Sequence, residues 1–408
     1  VRIAIMSAGS RGDVAPYTGL GQALARAGHE VTLVTHGYFE PLVEGSLLRF
    51  HPLPVDPRAE SRSAQGLGLH RSRTGVGKLV RLAAMARSLV GLMTDDLLAA
   101  ARKADILLVS GSLAPVGRAI AEGLGLPVLG VYLQPVAPTR EFAPSVMGAR
   151  SWGGVGNRIA GHGLNLVMER GFAATMPSLR AQLGPARRTR VPLPVLHGFS
   201  PLVVPRPRDW PAGLEVAGYW WPYDREERLP AEVEAFLDAG DPPAYVGLGS
   251  ATVPDPEALS AEIVRGLRRA GLRGVIQRGW GGLAADGDDM LTVDEVPHSV
   301  LFPRMAAVVH HAGAGTTGAG LRAGVPSVPV PVQFDAGFWA RRLVTVGVAP
   351  CAVTLRDLTA AGLATALDRA VRGPGHRERA RTLGARIRAE DGTAPVLAAV
   401  ERLAEGGA

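Results

Sequence analysis

The feature that most constrains this chain is a repeated unit: a short apolar run, a glycine-rich turn, then a helical pattern closed by glycine. Val1–Met6 is apolar and too short for a helix. The turn Ala8–Pro16 follows, and Pro16–Ala27 carries Leu20, Ala23, Leu24 and Ala27 at helical spacing. Gly28 sits where a helix stop belongs, and Glu30–Thr35 is the next apolar run. Strand, helix and strand in so few residues predict a βαβ unit with parallel strands. Ile106–Ser110 and Val128–Leu133 read as further buried strands of the first half. The second half repeats the scheme. Ala244–Leu248 is a strand, Glu257–Ala270 a helix ending at Gly271, and Gly274–Gln277, Met290–Val293 and Ala306–His311 are strands. Thr316–Ala323 is a helix stopped by Gly324, and Ser327–Pro331 is another strand. The prediction is α/β, with two doubly wound parallel sheets.

A chain of 408 residues is too long for one ordinary core. We place an N-terminal domain at 1–205, a linker at 206–222 and a C-terminal domain at 223–385. Pro205, Pro207, Pro211 and Pro222, with Trp210, Trp220 and Trp221, mark the linker as extended and stiff. A final helix, Arg377–Ala389 continuing to Leu403, carries arginine on its polar face; its last part, 386–408, is expected to pack back toward the N-terminal domain. Apolar residues at 47% and charged ones at 20% describe a globular chain and exclude disorder. No apolar run reaches the roughly 18–20 residues of a membrane span, so no integral membrane association is expected. Val1–Met6 is too short for a signal-peptide core, and Cys351 is the only cysteine, which excludes an internal disulfide and a cysteine-based zinc site. A cytoplasmic location is the expectation. The net charge of +7 fits either simple solubility or a polyanionic ligand such as a nucleotide. Nucleic acid fits poorly, because the basic residues are dispersed and only six Tyr and nine Phe are available for stacking.

In the second half, His310-His311-Ala312-Gly313-Ala314-Gly315-Thr316-Thr317-Gly318 follows a strand and opens a helix. Glycines let backbone approach a phosphate, and a helix N-terminus supplies free N–H donors and partial positive charge. Thr316 is placed to cap the helix or to reach a phosphate oxygen, and His311 to add a charge-assisted donor. Read literally, Gly313, Gly315 and Gly318 also fit G-x-G-x-x-G with Asp335 downstream, the pattern of a dinucleotide site. Against that stand the position in the second half, the histidine pair, and the setting of Asp335 after a proline-rich strand.

In the first half, Gly9-Ser10-Arg11-Gly12-Asp13 follows the first strand, where open α/β sheets bind ligands. Asp13 is suited to take a proton from an alcohol, and equally to cap the following helix. Arg11 reads either as a phosphate contact or as a solvated loop residue. On the apolar side, Val76–Met93 is a one-faced helical pattern that reads first as core, then as a pocket wall or a membrane-resting surface. Met85 within it, and Phe142 and Trp152 beside the loop Pro135–Pro144, are candidates to line an apolar acceptor pocket. Met93, Met147 and Met168 are further candidates, with plain core as the simpler reading. His29 and His298 read as structural.

These segments, with Gly28-His-Glu-Val31, Gly247-Leu-Gly-Ser250, Arg278-Gly-Trp280 and Glu295-Val-Pro-His298, together resemble glycosyltransferase family one. The resemblance is to bacterial sterol-glucosyltransferase-like and vancomycin-type antibiotic glycosyltransferases. It runs from Arg2 to about Leu367 and is loosest over Glu60–Met93. It implies a GT-B fold, two Rossmann-like doubly wound domains facing across a cleft, with acceptor in the first and donor mainly in the second. It implies Asp13 as catalytic base. Ser10, Ser250, His311, Gly315 and Thr316 would hold the diphosphate, with Arg11, Gly12 and Gly313 as further donor-binding residues. Trp280 would stack near the base, the Val296 backbone would read the pyrimidine, and Asp335 would bond sugar hydroxyls. The family's usual Asp-Gln pair is here Asp335-Ala336. The missing amide points to a deoxy or modified sugar, since each matched hydroxyl hydrogen bond is worth about 1 kcal/mol. Ala312 replaces a common glycine, a change tolerated if φ there is negative.

The activity so implied is inverting transfer of a sugar from UDP or TDP to a hydroxyl of a lipophilic acceptor: a polyketide, macrolide, glycopeptide or sterol-like product of antibiotic or other natural-product biosynthesis. The sequence offers no convincing metal constellation and no positioned nucleophile for retention, so no cofactor beyond the nucleotide-sugar co-substrate is expected. Asp286, Asp288 and Asp289 read as a turn. A monomer or homodimer is expected. Two other readings stay open: an NAD-dependent oxidoreductase, and a degenerate, non-catalytic transferase serving as a partner protein, which Ala336 invites.

Overall fold

The computed structural model describes residues 1–62, 91–148, 150–172, 176–184, 192–224, 228–251, 253–332 and 334–406. Met85 and most of the Val76–Met93 pattern lie outside the described residues. The chain divides into two compact units. The first holds Val1–Pro201, Pro205–Arg225 and Asp391–Ala408; the second holds Leu202–Val204 and Glu226–Glu390.

The first unit contains a sheet of seven strands: β1 (Arg2–Met6), β2 (Glu30–His36), β3 (Arg49–Leu53), β4 (Ile106–Val109), β5 (Val128–Tyr132), β6 (Val195–His197) and β7 (Leu214–Val216). Their order is β3-β2-β1-β4-β5-β6-β7, with every pairing parallel. Alternate side chains of β1 feed two cores. Ile3 and Ile5 pack with Val14, Leu20 and Leu24 on one face, and Ala4 and Met6 with Leu97, Val116 and Ile120 on the other. Burial on both faces is why the strand is apolar throughout. Truncating Ile5 to alanine would cost about 2–5 kcal/mol.

The second unit contains β8 (Ala244–Gly247), β9 (Gly274–Gln277), β10 (Met290–Val293), β11 (Ala307–His310) and β12 (Ser327–Pro329). The order is β10-β9-β8-β11-β12, again parallel. Ala244 and Val246 face Ile263, Leu267 and Leu363, while Tyr245 and Val308 face Val233, Leu301 and Phe302.

Three differences from the sequence reading have a clear physical cause. The first helix runs Arg11–Arg26 and so begins before Pro16, because Ser10 and Asp13 cap it through their side chains. The Pro- and Trp-rich stretch at 206–222 is not only a connector: Leu214–Val216 within it is the seventh strand, and Trp220 is buried in the first unit's core. The final helix is two helices, His376–Arg388 and Ala394–Ala404. The break is fixed by Asp391, whose Oδ1 accepts from the Thr393 N–H and hydroxyl and the Ala394 N–H, and by the Trp220 indole donating to the Gly392 carbonyl. The second helix packs Val396 and Val400 into the first unit beside Ile3 and Ile5. Among the described residues, no helix is long and apolar enough to cross a membrane.

Candidate active site

In the first unit the chain order reverses between β1 and β4, and the turn after β1 opens at that switch point. Asp13, the third residue of its helix, is half-buried there. The Ser10 N–H and hydroxyl both donate to its Oδ2, each at 2.9 Å. Among the described residues, its Oδ1 receives only the Gln134 amide, at 3.2 Å. The carboxylate is thus anchored through one oxygen and loosely held through the other. Burial raises its pKa above the ordinary carboxylate value, against the bonds from Ser10 and Gln134, which lower it. Capping and proton transfer are therefore compatible: Oδ2 serves the helix and Oδ1 keeps free lone pairs. Gly9 is required here, because its φ is +143° and a Cβ would meet Asp13 Oδ2 at 2.5 Å.

Neighbouring strand ends complete this edge. His36, at the end of β2, accepts from the Gly9 N–H through Nε2 at 3.1 Å. Burial pushes its pKa down to about 4, so the ring is neutral and can accept. Ser112 donates to the Ala8 carbonyl at 2.8 Å and bonds Ser110 at 2.9 Å. Gln134 and His36 were missed at the sequence level. Each stands one residue or so from the end of a recognised strand, which was the available signal. Arg11 and Gly12, by contrast, are exposed.

In the second unit the switch point lies between β8 and β11. The helix after β11 runs Ala314–Ala323, with Gly313 as its N-cap and no side-chain cap bond. Thr316 is therefore the third helical residue and not the cap. Thr317 N–H makes the first intrahelical bond, to the Gly313 carbonyl at 2.9 Å. The first-turn N–H groups of Ala314, Gly315 and Thr316 precede it, the position from which helices bind anions.

The His311 ring is held between two glycines. A Cβ on Gly249 would meet its Cε1 at 2.8 Å, and one on Gly313 would run into its Nε2. Burial holds the His311 pKa down to about 4, so at neutral pH the ring is neutral, and the charge in the charge-assisted bond read from sequence would come from the phosphate oxygen. Its Nδ1 is buried without a partner. Ala312 has φ +60°, so the condition of a negative φ is not met, and it is fully buried. Its N–H donates to His310 Nδ1 at 3.2 Å.

The remaining predicted residues are placed as follows. Ser250 follows Gly249 after β8 and is half-buried, and the Trp280 N–H donates to the Gly249 carbonyl at 2.9 Å, so Trp280 and Ser250 share this edge. Val296 lies in the loop after β10 and is half-buried. His298 stacks on Phe302 with ring centroids 4.2 Å apart, a structural role. Asp335 is the N-cap residue of the helix Ala336–Thr345, and its Oδ2 accepts from the Trp339 indole at 2.7 Å. Ala336 is 2% exposed, so its methyl offers no open contact. Asp289 is engaged by Arg268 at 2.8 Å. Phe142 is half-buried and Trp152 is exposed, while Met93 belongs to the core and Met168 packs against it.

Residues 3–142, which carry the Asp13 edge, match the family model described as Glycosyltransferase family 28 N-terminal domain. Residues 278–403, which carry the His311 turn, match Erythromycin biosynthesis protein CIII-like, C-terminal domain. Each half is thus similar to a glycosyltransferase or antibiotic-biosynthesis domain, and the chain has the GT-B fold. It is 30% identical over 421 residues to a sterol 3-beta-glucosyltransferase of Yarrowia lipolytica, covering 98% of this chain and 28% of that protein. It is 31% identical over 422 residues to a sterol 3-beta-glucosyltransferase of Arabidopsis thaliana, covering 97% of this chain and 64% of that one. The chain thus spans less than two thirds of the length of either relative. The Streptomyces sp. SF2575 glycosyltransferase SsfS6, solved with thymidine diphosphate, has the same fold, with a TM-score of 0.69 at 24% identity over 98% of this chain and 99% of that one.

Proposed function

We propose that this chain is an inverting glycosyltransferase that moves a sugar from a UDP or TDP carrier to a hydroxyl of an apolar acceptor. The observation that carries this reading is the Asp13 carboxylate, anchored twice through Oδ2 and only once through Oδ1, with a pKa raised by burial. A carboxylate so placed suits general-base work on an alcohol. Oδ1 takes the acceptor's hydroxyl proton as that oxygen bonds the anomeric carbon. The bond from the anomeric carbon to the diphosphate oxygen breaks in the same displacement, which inverts the centre.

The departing diphosphate carries the electron pair and accumulates charge. The first-turn N–H groups of the helix Ala314–Ala323, its partial positive end and the neutral His311 ring supply stabilisation without a metal. The single cysteine fits a cytoplasmic setting. The names of the relatives and of the C-terminal family model support sterol-like or polyketide-derived acceptors of antibiotic biosynthesis. Ala336, in place of a side-chain amide, supports a sugar with fewer hydroxyls.

The test is transfer with UDP- and TDP-sugars, natural and deoxy, to a panel of sterols and macrolide aglycones, read by mass spectrometry with and without EDTA. A glycosylated product with inverted anomeric configuration, undiminished by EDTA, is expected. Retention of configuration, or stabilisation by NAD with none by any nucleotide sugar, overturns the proposal. Ala336→Gln is expected to shift the donor ranking toward fully hydroxylated sugars; an unchanged ranking contradicts the reading of that position.

A further inference from the structure

The helix Gly153–Phe172 has two apolar faces. One is buried: Asn157, Gly161, Leu164 and Phe172 point into the first unit. On the opposite side, Val155 and Ile159 are each 65% exposed and Leu166 is 47% exposed, at spacings of four and seven residues that align them in one stripe. Trp152, 44% exposed, immediately precedes this helix. Scattered exposed apolar residues are ordinary, but an aligned stripe on a helix preceded by an exposed tryptophan is not.

Gly153, Gly154, Gly156, Gly161, Gly163 and Gly171 make this helix weak by intrinsic propensity, each costing about 1 kcal/mol relative to alanine. Its one buried face holds it, and covering the second would stabilise it further. Arg158 and His162 border the stripe on one side and Arg170 on the other; all three are exposed, as is Arg150 just before Trp152. The opposing acids are the exposed Glu169 on the same helix and Asp209, within the field of Arg158. The balance is positive, in a chain of net charge +7.

We propose that this stripe is a docking surface for a bilayer carrying anionic lipids, with Trp152, Val155, Ile159 and Leu166 entering the interface and Arg150, Arg158 and Arg170 resting at the headgroups. Aromatic and aliphatic residues flanked by arginine are the chemistry of an interfacial helix. A second copy of this chain fits less well, because it would set this positive border against an equally positive one. The proposal is independent of the sugar-transfer reading and holds whatever the acceptor is.

The test is co-sedimentation of the whole chain with phosphatidylcholine vesicles, with and without phosphatidylglycerol, at low and high salt. Binding to the anionic vesicles that weakens with salt is expected. Val155→Glu with Ile159→Glu, the milder pair Val155→Ser with Ile159→Ser, and Arg158→Glu with Arg170→Glu should each keep the thermal stability of the parent. The two glutamate pairs should lower partitioning roughly tenfold or more, since each basic residue contributes about 1 kcal/mol at an anionic surface. Leu47→Glu, at an exposed leucine elsewhere, should leave it unchanged. Absence of vesicle binding, or equal binding by the parent and the folded variants, overturns the proposal. So does a dimer in sedimentation velocity that the same substitutions dissociate.

Discussion

The two units share a strand order and differ in what they place at its reversal. In each, the first strand is central, the second and third lie to one side, and the fourth and fifth to the other. In the first unit, the turn after the first strand presents a carboxylate whose pKa is raised. In the second, the turn after the fourth strand presents a helix end with no side-chain cap and a neutral histidine. One edge is suited to accept a proton, the other to donate hydrogen bonds to negative charge. The fold fixes where a ligand can sit, and a few turn residues fix what happens there.

That contrast can be broken most severely at Asp13. Asp13→Asn should lower turnover by about 10²–10⁴-fold, the usual contribution of a general base, while leaving nucleotide affinity unchanged. Steady-state transfer assays with parallel binding titrations check this, and near-parent turnover would remove Asp13 as the base. The corresponding break in the second unit is Gly313→Ala, whose methyl would collide with the His311 ring. It should weaken nucleoside-diphosphate binding by roughly tenfold or more, about 1.4 kcal/mol, without altering the pH dependence of the chemical step. Calorimetric titration measures it, and parent-like affinity would show that the His311 turn does not hold phosphate.

Gln134→Ala sharpens the comparison with a smaller effect. The amide bond to Oδ1 favours the charged carboxylate, so removing it should raise the Asp13 pKa further. The acid limb of kcat/KM should then move to higher pH, with a few-fold loss on that limb and little change at the plateau. A pH–rate profile that does not move, or moves to lower pH, contradicts the assignment. Ala312→Gly should do least. Relief of a left-handed alanine, worth about 1–2 kcal/mol, is offset by the lost buried methyl and the added chain entropy. Thermal unfolding should shift by no more than about 1 kcal/mol; a larger change in either direction would mean that the backbone there is not held as described.

Strands β1, β2, β4, β5 and all five of the second unit were legible because they are short, mostly apolar or β-branched runs bounded by turn residues. β3, β6 and β7 were not: Arg49-Phe-His-Pro-Leu53 mixes polar residues and proline, and β6 and β7 are three residues each. The start of the first helix was hidden because Pro16 suggested a beginning, whereas the Ser10–Asp13 cap sets it earlier. In the candidate site, Asp13 and His311 were legible because they sit in glycine-rich turns. Gln134 and His36 were not, because their roles come from strand adjacency, which sequence spacing does not encode. The positive φ of Ala312 likewise depends on packing around the His310 turn. The outward stripe of Gly153–Phe172 was obscured by its glycines and by leucines on both faces.

The most direct test of this division of labour is calorimetric titration of thymidine diphosphate into the parent chain, Asp13→Asn and Gly313→Ala. The account predicts equal affinity for the parent and Asp13→Asn, and at least tenfold weaker binding for Gly313→Ala, about 1.4 kcal/mol or more. Loss of binding in Asp13→Asn with parent affinity in Gly313→Ala would contradict it.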